Sequence, residues 1–206
     1  MKITTTTTKK GRINLFADGE YQFTVSALFW AKNGCPEGGT LDEDALFALQ
    51  AEANADAAYD KALRLLTLRA HGEAELMRKL RRDYDREAAE NAVCRCKENG
   101  LVDDAAFAAA LAEELYRKKA YAPARIEQAL REKGIGKEIA KNAAYTLDID
   151  RKYGIIRIIE KMRLPETVTK KEADRLIRRL RAAGYSMREI REVVEFSGAP
   201  EEDETP

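Results

Sequence analysis

LREKGIGKEIA (residues 130–140) and LRAAGYSMREI (residues 180–190) are two versions of one phrase, fifty positions apart. Each reads Leu-Arg, two variable residues, a glycine, an apolar residue and then the polar start of another helix. A third version stands first in the chain. Leu80-Arg81 opens LRRDYDREAA, where Asp83-Tyr84 come one residue sooner than Gly134-Ile135 and Gly184-Tyr185. Leu76, Ile126 and Leu176 each lie four positions upstream, so each pair shares one helical face. The glycines suit a helix C-terminus, where the left-handed conformation costs an ordinary L-residue roughly 1–2 kcal/mol. Aspartate tolerates that conformation better than most, so a tighter turn around Asp83 is expected. With the deletion allowed, the register resumes at Ala88, Ile139 and Ile190, then Ala92, Ala143 and Val194. These are the expected inner faces of the helices that follow, and Ser186 with Glu189 forms a capping box.

A further amphipathic stretch precedes each pair: AAYDKALRLLTLR (57–69), DAAFAAALAEELYRKK (104–119) and RKYGIIRIIEKMR (151–163). Each unit is therefore three helices in about fifty residues, too small to be stable alone, so the units are expected to stack. The fold class that follows is mainly α: three tandem three-helix repeats with a small N-terminal β-hairpin region. The expected divisions are a hairpin extension at 1–39, a connecting helix at 40–56, and repeats at 57–102, 103–149 and 150–198. An acidic tail at 199–206 is expected to be disordered.

The hairpin is read from RINLFADGEYQFTV (12–25), because Asp18-Gly19 suits a two-residue type I′ turn with positive φ at both positions. A regular ladder would pair Ala17 with Glu20, Phe16 with Tyr21 and Asn14 with Phe23. Phe16, Tyr21 and Phe23 would then share a face. SALFWA (26–31) extends the second strand or begins a connector, and NGCPEGG (33–39) is a break. Helix follows, with Thr40 and Glu43 as a capping box and an interruption expected near Ala53-Asn54.

Composition narrows the chemistry. Three cysteines at no disulfide or zinc spacing, and one histidine, His71, leave a metal cluster without partners, so no metal or cofactor is expected. Reduced thiols, the absence of an apolar run near 18–20 residues and an N-terminus without an apolar core point to a cytoplasmic protein with no membrane partner. GIG (134–136) lacks the lysine and hydroxyl residue of a phosphate-binding loop and follows a helix. Cys94 and Cys96 diverge on a helix and suit core packing, Glu113-Glu114 and Asp103-Asp104 are ordinary solvent or helix-start acids, and His71 sits in a loop with no evident acid–base partner. No catalytic residues are expected.

What remains is charged surface. Basic and acidic residues are equal in number, at 36 each, but 151–198 hold 13 bases against 7 acids, while the tail from Ala199 holds four acids. Arg78, Lys79, Arg81 and Arg82 cluster on the middle helix of the first repeat. Arg131 lies on that of the second, and Arg175, Arg178, Arg179 and Arg181 on that of the third. Arg117, Lys118, Lys119 and Arg125 flank Tyr116 and Tyr121 in YRKKAYAPAR (116–125). Bases at one-turn spacing suit phosphates or an acidic protein groove, and tyrosine mixed with arginine suits an interface or a single strand.

ALRLLTLRAHGEAELMRKL, ENGLVDDAAFAAALAEELYRKK, RIEQALREKGI and LIRRLRAAGYSMREI, in that order and spacing, resemble the RecX family of bacterial regulators of the RecA recombinase. The resemblance runs from Ala57 to Gly198, and the DGEYQF hairpin looks like the N-terminal extension of clostridial-type members. It implies an elongated, curved stack of three units that lies in the groove of the RecA–DNA filament. There it would modulate ATP hydrolysis, strand exchange and filament growth, with inhibition the expected direction and no catalysis of its own. A monomer is expected. Gly72 stands where the family has serine, Ala122 and Asp83 where it has glycine, so the first of these helices lacks a side-chain cap. Two other readings stay open: a module that binds single-stranded or duplex DNA directly, and a generic helical-repeat scaffold.

Overall fold

The computed structural model describes residues 1–36, 38–164 and 169–194. The acidic tail and residues 195–198 of the third repeat lie outside the described residues. The chain divides into two compact units, Met1–Asp103 and Asp104–Pro206.

The first unit opens with three strands, β1 (Ile3–Thr7), β2 (Arg12–Ala17) and β3 (Glu20–Ser26), in an antiparallel sheet of order β1-β2-β3. Asp18 and Gly19 both take positive φ, as the type I′ turn requires. The expected ladder holds for Ala17 with Glu20 and Phe16 with Tyr21, then slips. A bulge at Gln22 pairs Leu15 with Phe23 and Asn14 with Thr24. One residue of slip moves every later side chain to the opposite face. Phe23 therefore joins Leu15 on the core side, while Phe16 and Tyr21 meet edge to face on the other. The core face of Ile3, Leu15, Ala17 and Val25 packs on Phe29 of α1 (Ala27–Asn33) and on Leu46, Leu49 and Ala53 of α2 (Glu43–Leu68).

Ser26 caps α1, accepting from the Phe29 N–H at 3.0 Å, so SALFWA is the connector rather than more strand. Asp42, not Thr40, caps α2 by accepting from the Ala45 N–H at 2.8 Å, while Thr40 bridges to Lys2 at the sheet edge. α2 then runs 26 residues without the interruption expected near Ala53-Asn54. Its first half covers the sheet. Its second half places buried Ala58 and Ala62 in another core, with α3 (Glu73–Leu80) and α4 (Arg86–Glu98).

The second unit contains α5 (Asp104–Lys119), α6 (Pro123–Glu132), α7 (Lys137–Tyr145), α8 (Arg151–Met162), α9 (Lys170–Ala182) and α10 (Met187–Arg191). All six expected core positions, Leu76/Leu80, Ile126/Leu130 and Leu176/Leu180, are buried. Two of the three helix ends are Schellman turns. Ile135 N–H donates to Leu130 O and Tyr185 N–H to Leu180 O, both at 3.2 Å, with Gly134 and Gly184 at positive φ. The first copy closes differently. Tyr84 N–H donates to Leu80 O at 3.1 Å, and no residue there has positive φ, so Asp83 is not the left-handed residue expected of it.

The helix that follows also corrects the register. Asp85, Gly136 and Ser186 are the N-caps of α4, α7 and α10, and four residues on come Ala89, Ala140 and Ile190, each fully buried. Ile139 is 37% exposed and Ala140/Ala144 form the inner face of α7, so the one-residue offset is made up before α10. At Gly184 an added Cβ would lie 2.7 Å from the Arg125 Cβ. Gly184→Ala is therefore expected to cost more than the roughly 1–2 kcal/mol of left-handed strain, because overpacking adds about 1–3 kcal/mol. Urea unfolding would show this, and a loss below about 1 kcal/mol would contradict the packing described.

Candidate partner-binding site

The α5–α6 loop binds the third set of helices to the second. Ala120 and Ala122 are buried in the core of α8, α9 and α10. Ala122 N–H donates to Ala183 O at 2.9 Å, and the Tyr185 hydroxyl donates to Ala120 O at 2.8 Å. Arg157 of α8 donates to the carbonyls of Tyr116 and Arg117, and Lys161, one turn on, donates to Lys118 O at 3.0 Å. Cations from α8 thus satisfy the last carbonyls of α5, where the helix dipole is negative.

This junction gathers cations that are far apart in sequence. Lys118 and Lys119 from α5, Lys161 from α8 and Arg179 from α9 line one pocket of about 320 Å3, with Tyr121, Ile158, Ala182 and Ala183. Lys119 lies 5.3 Å from the Tyr121 ring centroid, and Arg125 lies as near on its own account. Lys118 pairs with Glu114 one turn back, which holds that carboxyl below its ordinary value. Among the described residues no acid lines the pocket.

The other sequence candidates fall elsewhere. Arg175 and Arg178 are exposed on α9 beside Arg179, with Lys171 one turn before Arg175; Arg181 projects from the opposite flank. Arg117 is exposed at the end of α5 and Arg131 on α6. Arg125 is half-buried, bonded to Glu132 at 3.2 Å and packed against Gly184, so its work is structural. Arg78, Arg81 and Arg82 are exposed in the first unit, on and just after α3. Arg157 and Lys161 were not among the candidates, although their i, i+4 spacing was visible in the sequence.

Lys79 has a different role. His71 is buried, its Nδ1–H donating to Arg69 O at 2.9 Å while Nε2 accepts from Lys79 Nζ at 2.8 Å. Buried Glu75 takes a two-pronged contact from Arg69 and lies 3.7 Å from Lys79. The loop histidine therefore has partners, contrary to expectation, and they keep it neutral. Burial holds its imidazole below the ordinary 6.5, and the Arg69 hydrogen bond holds the Glu75 carboxyl below 4.5. A lowered folded value means that each group's contribution is complete above its unfolded pKa and is lost as pH falls through the folded one. The His71 window therefore opens below 6.5 and the Glu75 window below 4.5. The urea midpoint is expected to fall between about pH 7.5 and about pH 5.5, and His71→Gln to remove most of that fall. An unchanged slope in the variant would contradict it.

Of the two helix cysteines expected in the core, Cys96 is buried, whereas Cys94 is exposed and donates to Glu98, which raises its thiol pKa. No described helix is long and apolar enough to cross a membrane.

Residues 58–96 match the family model of the first RecX three-helix domain, and residues 103–143 that of the second. The regulatory protein RecX of Escherichia coli O9:H4 (strain HS) is 34% identical over 155 residues, 65% of this chain and 87% of that protein. The chain belongs to the RecX family. RecX of Limosilactobacillus reuteri (strain DSM 20016) is 30% identical over 129 residues, 62% of this chain and 49% of that longer relative. The chain thus aligns with about half the length of the latter. A RecX crystal structure superposes with a TM-score of 0.69 at 24% identity, covering 93% of this chain and 98% of that one. RecX from Lactobacillus salivarius superposes at 0.59 and 20% identity, covering 68% and 94%. These two likenesses bear on the fold, and they agree with the mainly helical architecture and its small N-terminal sheet.

Proposed function

We propose that this chain is a non-enzymatic cytoplasmic regulator that binds RecA and the RecA–DNA filament and inhibits ATP hydrolysis and strand exchange. Membership in a family of regulatory proteins supports the regulatory role. The observation that carries the choice of surface is the α5–α8–α9 junction, where four cations from three helices line a pocket with no acid among the described residues. A filament of protein and phosphate offers the anionic counterpart. The one histidine, the side chain best suited to acid–base work, is buried between a lysine and a carbonyl, which supports the non-enzymatic reading.

The test is the single-strand-dependent ATPase of a bacterial RecA, titrated with the full chain. The rate is expected to fall with added protein and to approach a floor. A rate unchanged at saturating concentration would remove inhibition from the proposal.

A further inference from the structure

The junction pocket concentrates positive charge beyond what the fold itself needs. Lysines and arginines at a helix C-terminus are usual, since each terminus carries about half a unit of negative charge. Two such termini, of α5 and α9, meet the pocket, and Glu114 supplies one full charge beside Lys118. Against four cations this leaves about two positive charges uncompensated. Only Lys118 is placed by an acid, Glu114; Lys161 is placed by the Lys118 carbonyl and Lys119 by the Tyr121 ring. Arg179 is exposed and makes no ion pair with a described residue. Ile158, Ala182 and Ala183 form an apolar wall, which weakens screening of these charges.

The charge also continues outside the pocket. Lys171, Arg175, Arg178 and Arg179 follow an i, i+4, i+7, i+8 pattern on the exposed side of α9, so the stripe rises by about 5.4 Å per turn towards the pocket. A protein-binding hot spot would place a large apolar or aromatic anchor at its centre. This stripe instead ends on Ala182, and its four bases outnumber the two acids beside them, Glu172 and the exposed Asp174.

We infer that the pocket is a phosphate site and that the stripe is its approach, together taking the phosphodiester backbone of a single nucleic-acid strand. This rests on the reading that the basic junction faces the filament, and it names which component of the filament the junction touches. About two phosphates fit the uncompensated charge of the pocket, and the stripe outside it, three bases beside Glu172 and Asp174, reaches about one more. The salt dependence of binding should then have a log–log slope of about −2, at roughly 0.7 per phosphate.

The experiment uses the full chain without RecA, so that it fails separately from the regulatory reading. Fluorescein-labelled oligothymidylate is titrated by anisotropy over a series of salt concentrations. Lys119→Ala with Arg179→Ala is expected to lower the slope by about 1.4 and to weaken binding roughly 25-fold at 0.1 M salt. Arg179→Lys should keep the slope, and Lys133→Ala with Lys141→Ala, exposed on α6's end and α7, should leave binding unchanged. Circular dichroism of each variant excludes loss of fold. Inorganic triphosphate should compete only weakly, because it fills the pocket without the stripe. A slope shared by the wild-type chain and the double variant, or triphosphate binding with no retention of the strand, would overturn the assignment.

Discussion

Gly154→Ala is expected to destabilise the chain by about 1–5 kcal/mol. Gly154 is buried on α8, and an added Cβ would fall 2.1 Å from the Tyr185 hydroxyl oxygen and 3.2 Å from its Cζ. That hydroxyl lies deep in the core and donates to Ala120 O at 2.8 Å, and burial raises its pKa. The methyl must push the phenol off the carbonyl or push α8 outward. Overpacking costs about 1–3 kcal/mol, and a buried carbonyl left without a donor costs a further 1–3 kcal/mol or so. Alanine's better helix propensity returns only about 0.5–1 kcal/mol, so the clash decides the sign. Against a typical total of about 5–15 kcal/mol, this is a large loss.

A double-mutant cycle isolates the cause. Tyr185→Phe removes the oxygen that the methyl would strike, so Gly154→Ala should cost at least about 1.5 kcal/mol less in that background. Urea unfolding of the four proteins gives the coupling. A coupling near zero would mean that the Tyr185 hydroxyl does not limit the approach of α8.

The largest functional effect is expected from Arg178→Glu, Arg179→Glu and Arg181→Glu combined. All three are exposed, so reversal should leave helicity unchanged. Three charges change sign, a net change of six units on the helix that carries Arg179, and inhibition of the RecA ATPase should weaken at least tenfold, about 1.4 kcal/mol. The matching reversal at Arg78, Arg81 and Arg82 in the first unit is the internal comparison and should cost less, because only the α9 set includes a side chain, Arg179, that lines the pocket with Lys118, Lys119 and Lys161. Equal losses from the two triple variants would move the binding surface away from the junction.

Much of this fold is legible in the residues. Leu80, Leu130 and Leu180 mark three helices because a leucine four residues after another apolar residue must be buried on one face. Gly134 and Gly184 mark helix ends because little else fits the left-handed position cheaply. What went unread has local causes. The bulge at Gln22 follows from packing on α2 and leaves no mark in the alternation of RINLFA and EYQFTV. Strand β1 is a run of threonines, β-branched but without an apolar alternation to announce it. The unbroken α2 contradicts an interruption read from Asn54, whose weak helix propensity is overridden by the two cores that the helix joins.

The site was legible only in pieces. Lys118, Lys119 and Arg179 each stood out as members of basic clusters, but nothing along the chain says that α5 and α9 end beside one another. That depends on Ala120 and Ala122 entering the core of the third helix set, and thus on Tyr185 and Gly154 sixty-five and thirty-four residues after Ala120. Arg125, by contrast, looks like its neighbours in sequence and is taken out of the surface by Glu132, Tyr121 and Gly184.

The central claim is tested most directly by retention of the full chain on immobilised RecA filaments assembled on single-stranded DNA, beside the same oligonucleotide without RecA. The account predicts stronger retention on the filament than on the bare strand, lost on both surfaces as salt rises and reduced by the Arg178, Arg179 and Arg181 reversals. Retention no greater on the filament than on the oligonucleotide alone would contradict it.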